Sequence, residues 1–155
     1  LSNQIAMIGL RFFSVYGPFG RPDMAYYSFT NSISNRKEIK LYNHGNMYRD
    51  MTYIDDIIDG IIGSLELIKT ISEPGNTLIN LWNEHPVKTT DLLREIEKRL
   101  NIVAKIRYEN SSNESKYTHA DIGKAKALFG YMPKFNLDEG LSRFIKWYKN
   151  YEHIH

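Results

Sequence analysis

The chain contains no cysteine, so no disulfide can staple it, and a reducing compartment is allowed. It has no apolar run approaching the length of a membrane span, and no signal peptide opens it. An excess of one charge is missing too: 20 Lys and Arg against 18 Asp and Glu leave +2, too little and too dispersed for a nucleic-acid surface. There are no repeats and no low-complexity linker. The five histidines, His44, His85, His119, His153 and His155, are scattered without metal-ligand spacing and read as structural or solvent-facing. What is left is a chain of 155 residues, enough for one domain with a real core. Its first residue is Leu1 rather than Met, so it is expected to start inside a longer gene product or to have been cut there.

One stretch organises the rest. Ile5 to Leu10 is a near-continuous apolar run, as suits a strand covered on both faces in a parallel sheet. The strand is expected over 5–13. It then breaks into Tyr16-Gly17-Pro18-Phe19-Gly20-Arg21-Pro22-Asp23, whose glycines and prolines allow neither strand nor helix before Pro22. Pro22 suits a first helical position and Asp23 a first turn. A strand therefore ends in a loop carrying Arg21, and in open α/β sheets ligands sit outside the carboxyl ends of strands.

Down the chain, a rough apolar stripe predicts a helix over 23–35 that Asn35 can end. Ile39-Lys40-Leu41-Tyr42 alternates as a short strand, Gly45 suits a turn, and Tyr48–Tyr53 returns extended. A helix follows from about Asp55 to Lys69, with Ile54, Ile57, Ile58, Ile61, Ile62, Leu65 and Ile68 on one broad inward face. Gly60 and Gly63 inside it are read as close packing against a sheet. Thr77–Trp82 is a buried strand, and Thr89 or Thr90 is expected to cap a helix through Leu100. Ala104–Tyr108 alternates, Asn110–Ser115 is a polar loop, and a helix from Asp121 to Phe129 ends at Gly130. Asn136 and Glu139 form a capping box for the last helix, with Leu137, Leu141, Phe144, Ile145, Tyr148 and Tyr151 on its apolar side. Asp55, Asp56 and Asp59 look like a metal site only superficially, since a helix start explains the first two.

The run RFFSVYGPFGRPDMA, with Tyr48-Arg49-Asp50-Met51-Thr52-Tyr53-Ile54-Asp55-Asp56-Ile57, Leu78–Leu81 and Ala120-Asp121-Ile122 through Phe129-Gly130-Tyr131, resembles the extended short-chain dehydrogenase/reductases (SDRs). Among them it is most similar to UDP-glucuronate 4-epimerases of capsule and cell-wall synthesis. The resemblance implies an α/β fold. Strands at 5–13 and 76–82 would be the last of a Rossmann sheet, and segments at 39–42 and 104–108 a small α+β substrate-binding subdomain. It also implies what is missing. None of the eleven tyrosines has a lysine four residues later. Gly17-x-x-Gly20 continues to Asp23 rather than a third glycine, so the glycine-rich turn is missing too. The chain thus looks like the C-terminal half of such an enzyme without the N-terminal NAD-binding half.

The resemblance further implies roles. Arg49 would contact the diphosphate of a UDP-sugar and Arg21 the substrate side, both through planar forks of donors. Ser14 stands where uronate epimerases carry a threonine beside the sugar carboxylate. Leu41 and Tyr42 would meet the uracil, and Phe12 and Tyr16 the nicotinamide side and the pocket floor. Each has a plainer reading: Arg21 and Arg49 as partners of Asp23 and Asp50, Ser14 as a local cap, the aromatics as core. The loop Glu109–Ser115 lacks the arginine that some relatives use as a second diphosphate clamp. No catalytic and no metal-binding residue is expected in this chain. It would be a cytoplasmic, UDP-sugar-holding part of an NAD-dependent 4-epimerase, inactive alone, prone to self-association here and a homodimer when intact. The alternatives are a non-catalytic UDP-sugar-binding or interaction module, or part of a nucleotide-sugar 4,6-dehydratase or decarboxylase.

Overall fold

The computed structural model describes residues 5–110, 116–118 and 120–152. His119, His153, His155 and most of the polar loop at 110–115 lie outside them. The first strand, β1 (Ala6–Phe12), runs parallel to β5 (Gly75–Leu81), with Gly9 opposite Leu78. The expected strand over 5–13 is then split. Val15 N–H donates to Phe13 O at 3.0 Å, a tight kink two residues long. Beyond it β2 (Ser14–Tyr16) joins a different sheet, parallel to β4 (Tyr48–Tyr53), with Ser14 opposite Met51. Ser14 thus stands where the chain leaves one sheet for the other.

On β4, the short β6 (Pro86–Lys88) pairs antiparallel and β8 (Tyr117–Thr118) parallel. A third, two-stranded sheet joins β3 (Glu38–Tyr42) to β7 (Lys105–Glu109) in parallel. Among the described residues five α-helices cover the strands: α1 (Ala25–Ser34), α2 (Ile54–Ile68), α3 (Thr89–Leu100), α4 (Gly123–Phe129) and α5 (Leu137–Tyr151). The buried side chains form two clusters. One joins α1, α3 and α5 to β2, β3 and β4; the other joins α2 and α4 to β5. No described helix is long and apolar enough to cross a membrane.

The local signals act as expected at several ends. Gly130 closes α4 at φ +68°, and the Asn136 side chain accepts Glu139 N–H at 2.9 Å to start α5. Gly60 lies so close to β5 that a Cβ would stand 2.6 Å from a Leu81 methyl. Gly63 instead makes room for the Phe129 ring on α4, a helix rather than a sheet.

Three expectations are corrected. Neither threonine caps α3, whose N-cap is Lys88; Thr89 Oγ1 donates to Met47 O at 3.1 Å and ties the helix to the chain before β4. Asn35 does end α1, as expected, standing at its C-cap outside the left-handed region, while Arg36 takes the positive φ of +54°. The broad face of α2 is only half covered: Ile57 is buried, while Ile58, Ile62 and Leu65 are 45%, 53% and 54% exposed. Two strands, β1 and β5, are too few to cover so wide a stripe. Tyr151 is likewise exposed, stacking on Trp147 with ring centroids 4.9 Å apart.

Of the three aspartates at the start of α2, Asp56 is fully buried and accepts the backbone N–H groups of Lys134 and Phe135 at 2.8 and 3.1 Å. Asp59 meets the Lys134 ammonium at 2.7 Å, and Asp55 meets Arg143 at 3.4 Å. Asp56 and Asp59 thus pin the link between α4 and α5 to α2, and Asp55 reaches α5 itself. No group of three metal-ligating side chains gathers among the described residues.

Candidate functional site

A cavity of about 460 Å³ opens between the start of α1, β3 and the first half of β4. Its floor is apolar, from Met24, Phe29, Leu41 and Met47. Its polar groups are the hydroxyls of Ser14, Ser28 and Thr89, the carboxylate of Asp23, and the cations Lys40 and Arg49. A few convergent polar groups over an apolar floor are what a small-molecule site requires.

Each group is placed by an identifiable local cause. Ser14 opens β2 just beyond the kink at Phe13, which brings it to the wall of the crevice. Arg49 lies in the middle of the β4 pairing, opposite Val87 on β6 and Thr118 on β8, so its backbone is fixed from both edges. One of its guanidinium N–H groups donates to Tyr48 O at 3.0 Å. On β3 the alternation buries Ile39 and Leu41 and turns Lys40 and Tyr42 to the other face. The turn after Tyr42 is tight, with Asn43, His44 and Gly45 at φ +49°, +54° and +69°.

Of the residues singled out from sequence, the cavity brings Ser14, Leu41, Tyr42 and Arg49 together. Leu41 is 2% exposed and belongs to the core under the cavity floor. Arg21 does not line the cavity. It forks onto Asp23, which does, with Nε donating to Oδ1 at 3.1 Å and NH2 to Oδ2 at 2.5 Å. That contact holds the Asp23 carboxyl below its usual range and raises Arg21 further. Phe12 lies outside this cavity, 44% exposed at the carboxyl end of β1.

Tyr16 is a correction. It is 2% exposed, its ring fills the space left by Gly140 on α5, and its hydroxyl donates to Asn136 O at 3.3 Å. Burial pushes its pKa up, and it is core, not pocket floor. The reason is long-range: the hole it fills is made by a glycine 124 positions later.

Sequence reasoning missed Lys40, Ser28, Met47 and Thr89. The signal for Lys40 was present, since strand alternation puts it on the same face as Tyr42. Ser28 and Thr89 reach the cavity only through tertiary packing.

The comparisons decide the lineage. The model of the NAD dependent epimerase/dehydratase family matches residues 1–81. The chain belongs to that family. Within it the chain is an extended SDR similar to UDP-glucuronate 4-epimerases. UDP-glucuronate 4-epimerase 2 of Arabidopsis thaliana is 40% identical over 160 residues, covering 95% of this chain and 37% of the relative. An uncharacterized protein of Methanocaldococcus jannaschii is 45% identical over 145 residues, covering 93% of this chain and 43% of that one. The crystal structure of UDP-glucuronic acid 4-epimerase from Bacillus cereus, in complex with UDP-glucuronic acid and NAD, superposes with a TM-score of 0.82 at 34% identity. It is matched over 92% of this chain and 45% of its own length. The chain of this epimerase/dehydratase family member thus spans less than half the length of these relatives.

Proposed function

We propose that this chain is the substrate-holding part of an NAD-dependent UDP-sugar 4-epimerase, of the uronate type, serving capsule or cell-surface polysaccharide synthesis. The observation that carries the reading is the single cavity that unites Ser14, the β3 edge at Leu41 and Tyr42, and Arg49. Arg49 is fit to hold the diphosphate through its planar fork. The β3 backbone offers amide and carbonyl groups to a uracil. The Ser14 hydroxyl is placed to donate to the sugar, the carboxylate of a uronate being the strongest acceptor there. Arg21 stands two residues from the cavity-lining Asp23 and reaches an anionic sugar only by loosening its grip on that carboxylate.

The described residues do not build a dinucleotide site. The space beside Gly17 is filled by Ile54, and that beside Gly20 by the Tyr26 ring, leaving no cradle for a pyrophosphate. Half-exposed Phe12 is the group here suited to edge a nicotinamide. NAD, bound in the intact enzyme mainly by the other half of the fold, would supply the reversible oxidation at the sugar's C4. This chain's share is to bind and orient, which is a large part of such catalysis.

Two measurements on the 155-residue chain test this. Calorimetry should show weak binding of UDP-glucuronate, and an epimerase assay with added NAD should show no turnover. Failure to bind any uridine nucleotide at millimolar ligand would refute the cavity, and turnover would refute the division of labour. Micromolar binding without turnover would instead favour a free-standing UDP-sugar-binding module.

A further inference from the structure

The loop between β2 and α1, which carries Arg21, is tied down at both ends. At its start Gly17 O accepts the Tyr26 hydroxyl at 3.4 Å, and at its end Met24 N–H donates to Arg21 O at 3.2 Å. Between them stands Phe19, at φ +58°. That left-handed conformation is costly for a residue with a Cβ. The side chain is also 82% exposed, so burial does little to offset the cost. Among the described residues its ring meets one other, that of Trp147 on α5, with centroids 5.0 Å apart. Trp147 is itself held in place by Phe144 and Tyr27, at 5.9 and 6.3 Å. An aromatic pair attracts by about as much as one left-handed residue costs, so the contact balances the strain that accompanies it.

Arg21 follows two residues later. Its guanidinium meets only Asp23 among the described residues, and Asp23 lines the cavity. Gly20, between Phe19 and Arg21, has no side chain to anchor and no room for one, since a Cβ there would strike the Tyr26 hydroxyl. The course of the chain into Arg21 therefore depends on the arch before it. The ring of Phe19 on Trp147 is what fastens that arch to a helix.

We propose that Phe19 is a positioning residue. Its ring clasps the loop to Trp147, and the clasp keeps Arg21 within reach of a sugar carboxylate in the cavity. This rests on the uronate reading above and adds to it a residue that does not touch the ligand.

The test is calorimetry of the whole chain with UDP-glucuronate and UDP-glucose, whose affinity ratio reads the carboxylate contact. The native chain should prefer the uronate, and Arg21→Met should abolish the preference. Phe19→Ala and Phe19→Gly should each cut it about threefold with UDP-glucose binding unchanged, and Phe19→Trp should keep it. Glycine adopts a positive φ freely, which offsets the lost ring contact, so Phe19→Gly should melt close to the native chain. A role confined to shaping the turn predicts instead that Phe19→Gly keeps the preference. Trp147→Leu should give the same loss as Phe19→Gly, and the two together no more. If Phe19→Gly keeps the native preference while Arg21→Met loses it, Phe19 does not position Arg21, although the uronate reading stands. If Arg21→Met keeps the preference, the carboxylate is held elsewhere and the inference fails. If the native chain does not prefer the uronate at all, the uronate reading itself falls, and the role of Phe19 with it.

Discussion

Arg21 donates to both carboxylate oxygens of Asp23, two residues further on, in a forked contact at the start of α1. The pair is solvent-exposed, and its geometry fixes the direction of an experiment. Asp23→Asn removes the charge that occupies Arg21 and takes a negative group from the cavity lining. UDP-glucuronate should then bind about two- to threefold more tightly, a gain of the size exposed ion pairs allow. UDP-glucose should gain less. An equal gain for both sugars would show that Arg21 does not reach the uronate carboxylate.

Arg49 is the less replaceable cation, because β4 is paired on both edges where it emerges. Arg49→Lys keeps the charge and loses the planar fork, and should weaken UDP about tenfold. Arg49→Met should weaken it further. Both are read by calorimetry, with circular dichroism confirming that the fold survives.

Asp56 carries a stability prediction. Burial raises its pKa, and the hydrogen bonds from Lys134 and Phe135 N–H lower it by less. A carboxyl raised in the folded state stabilises the fold fully below its unfolded value of about 3.9, and that contribution fades as pH rises through the folded pKa. The native chain should lose stability relative to Asp56→Asn as pH climbs from about 4 toward neutrality. At low pH Asp56→Asn, keeping one acceptor oxygen, should be less stable by about 1–2 kcal/mol. Thermal melts of both chains across that range give the comparison. A pH-independent difference would contradict it.

The uncovered stripe of α2 and the two-stranded β1–β5 pair predict that the chain self-associates. Ile58, Ile62 and Leu65 form one apolar line, and Met7 and Leu78 are about half exposed on the β1–β5 pair. Exposed apolar lines and open strand edges invite pairing. Ile62→Lys should shift the sedimentation profile toward monomer. A monodisperse native monomer at high concentration would contradict the expectation.

Much of this architecture was legible one element at a time. Gly130, Asn136 and the alternation at Ile39–Tyr42 act locally, through a left-handed cap, a capping oxygen and a strand period. What was illegible depends on partners far away in sequence. The kink at Phe13 is seen only because Ser14–Tyr16 pairs with β4 rather than β5. β6 and β8, with three and two residues, are too short to show a period. Tyr16 reads as a pocket aromatic by resemblance, and it is core because Gly140 admits its ring. Arg49 and Ser14 could be singled out by resemblance. Lys40 could have been added from the β3 alternation, which puts it on the face of Tyr42.

The central claim is that one hollow in this chain holds a UDP-sugar. Amide chemical-shift mapping of the 155-residue chain during titration with UDP-glucuronate tests it most directly. The account predicts that the largest shifts gather at Ser14, Lys40, Leu41, Tyr42 and Arg49, and that Tyr16 moves little. Shifts centred on the Arg99–Lys149 hollow between α3 and α5, or none at millimolar ligand, would contradict it.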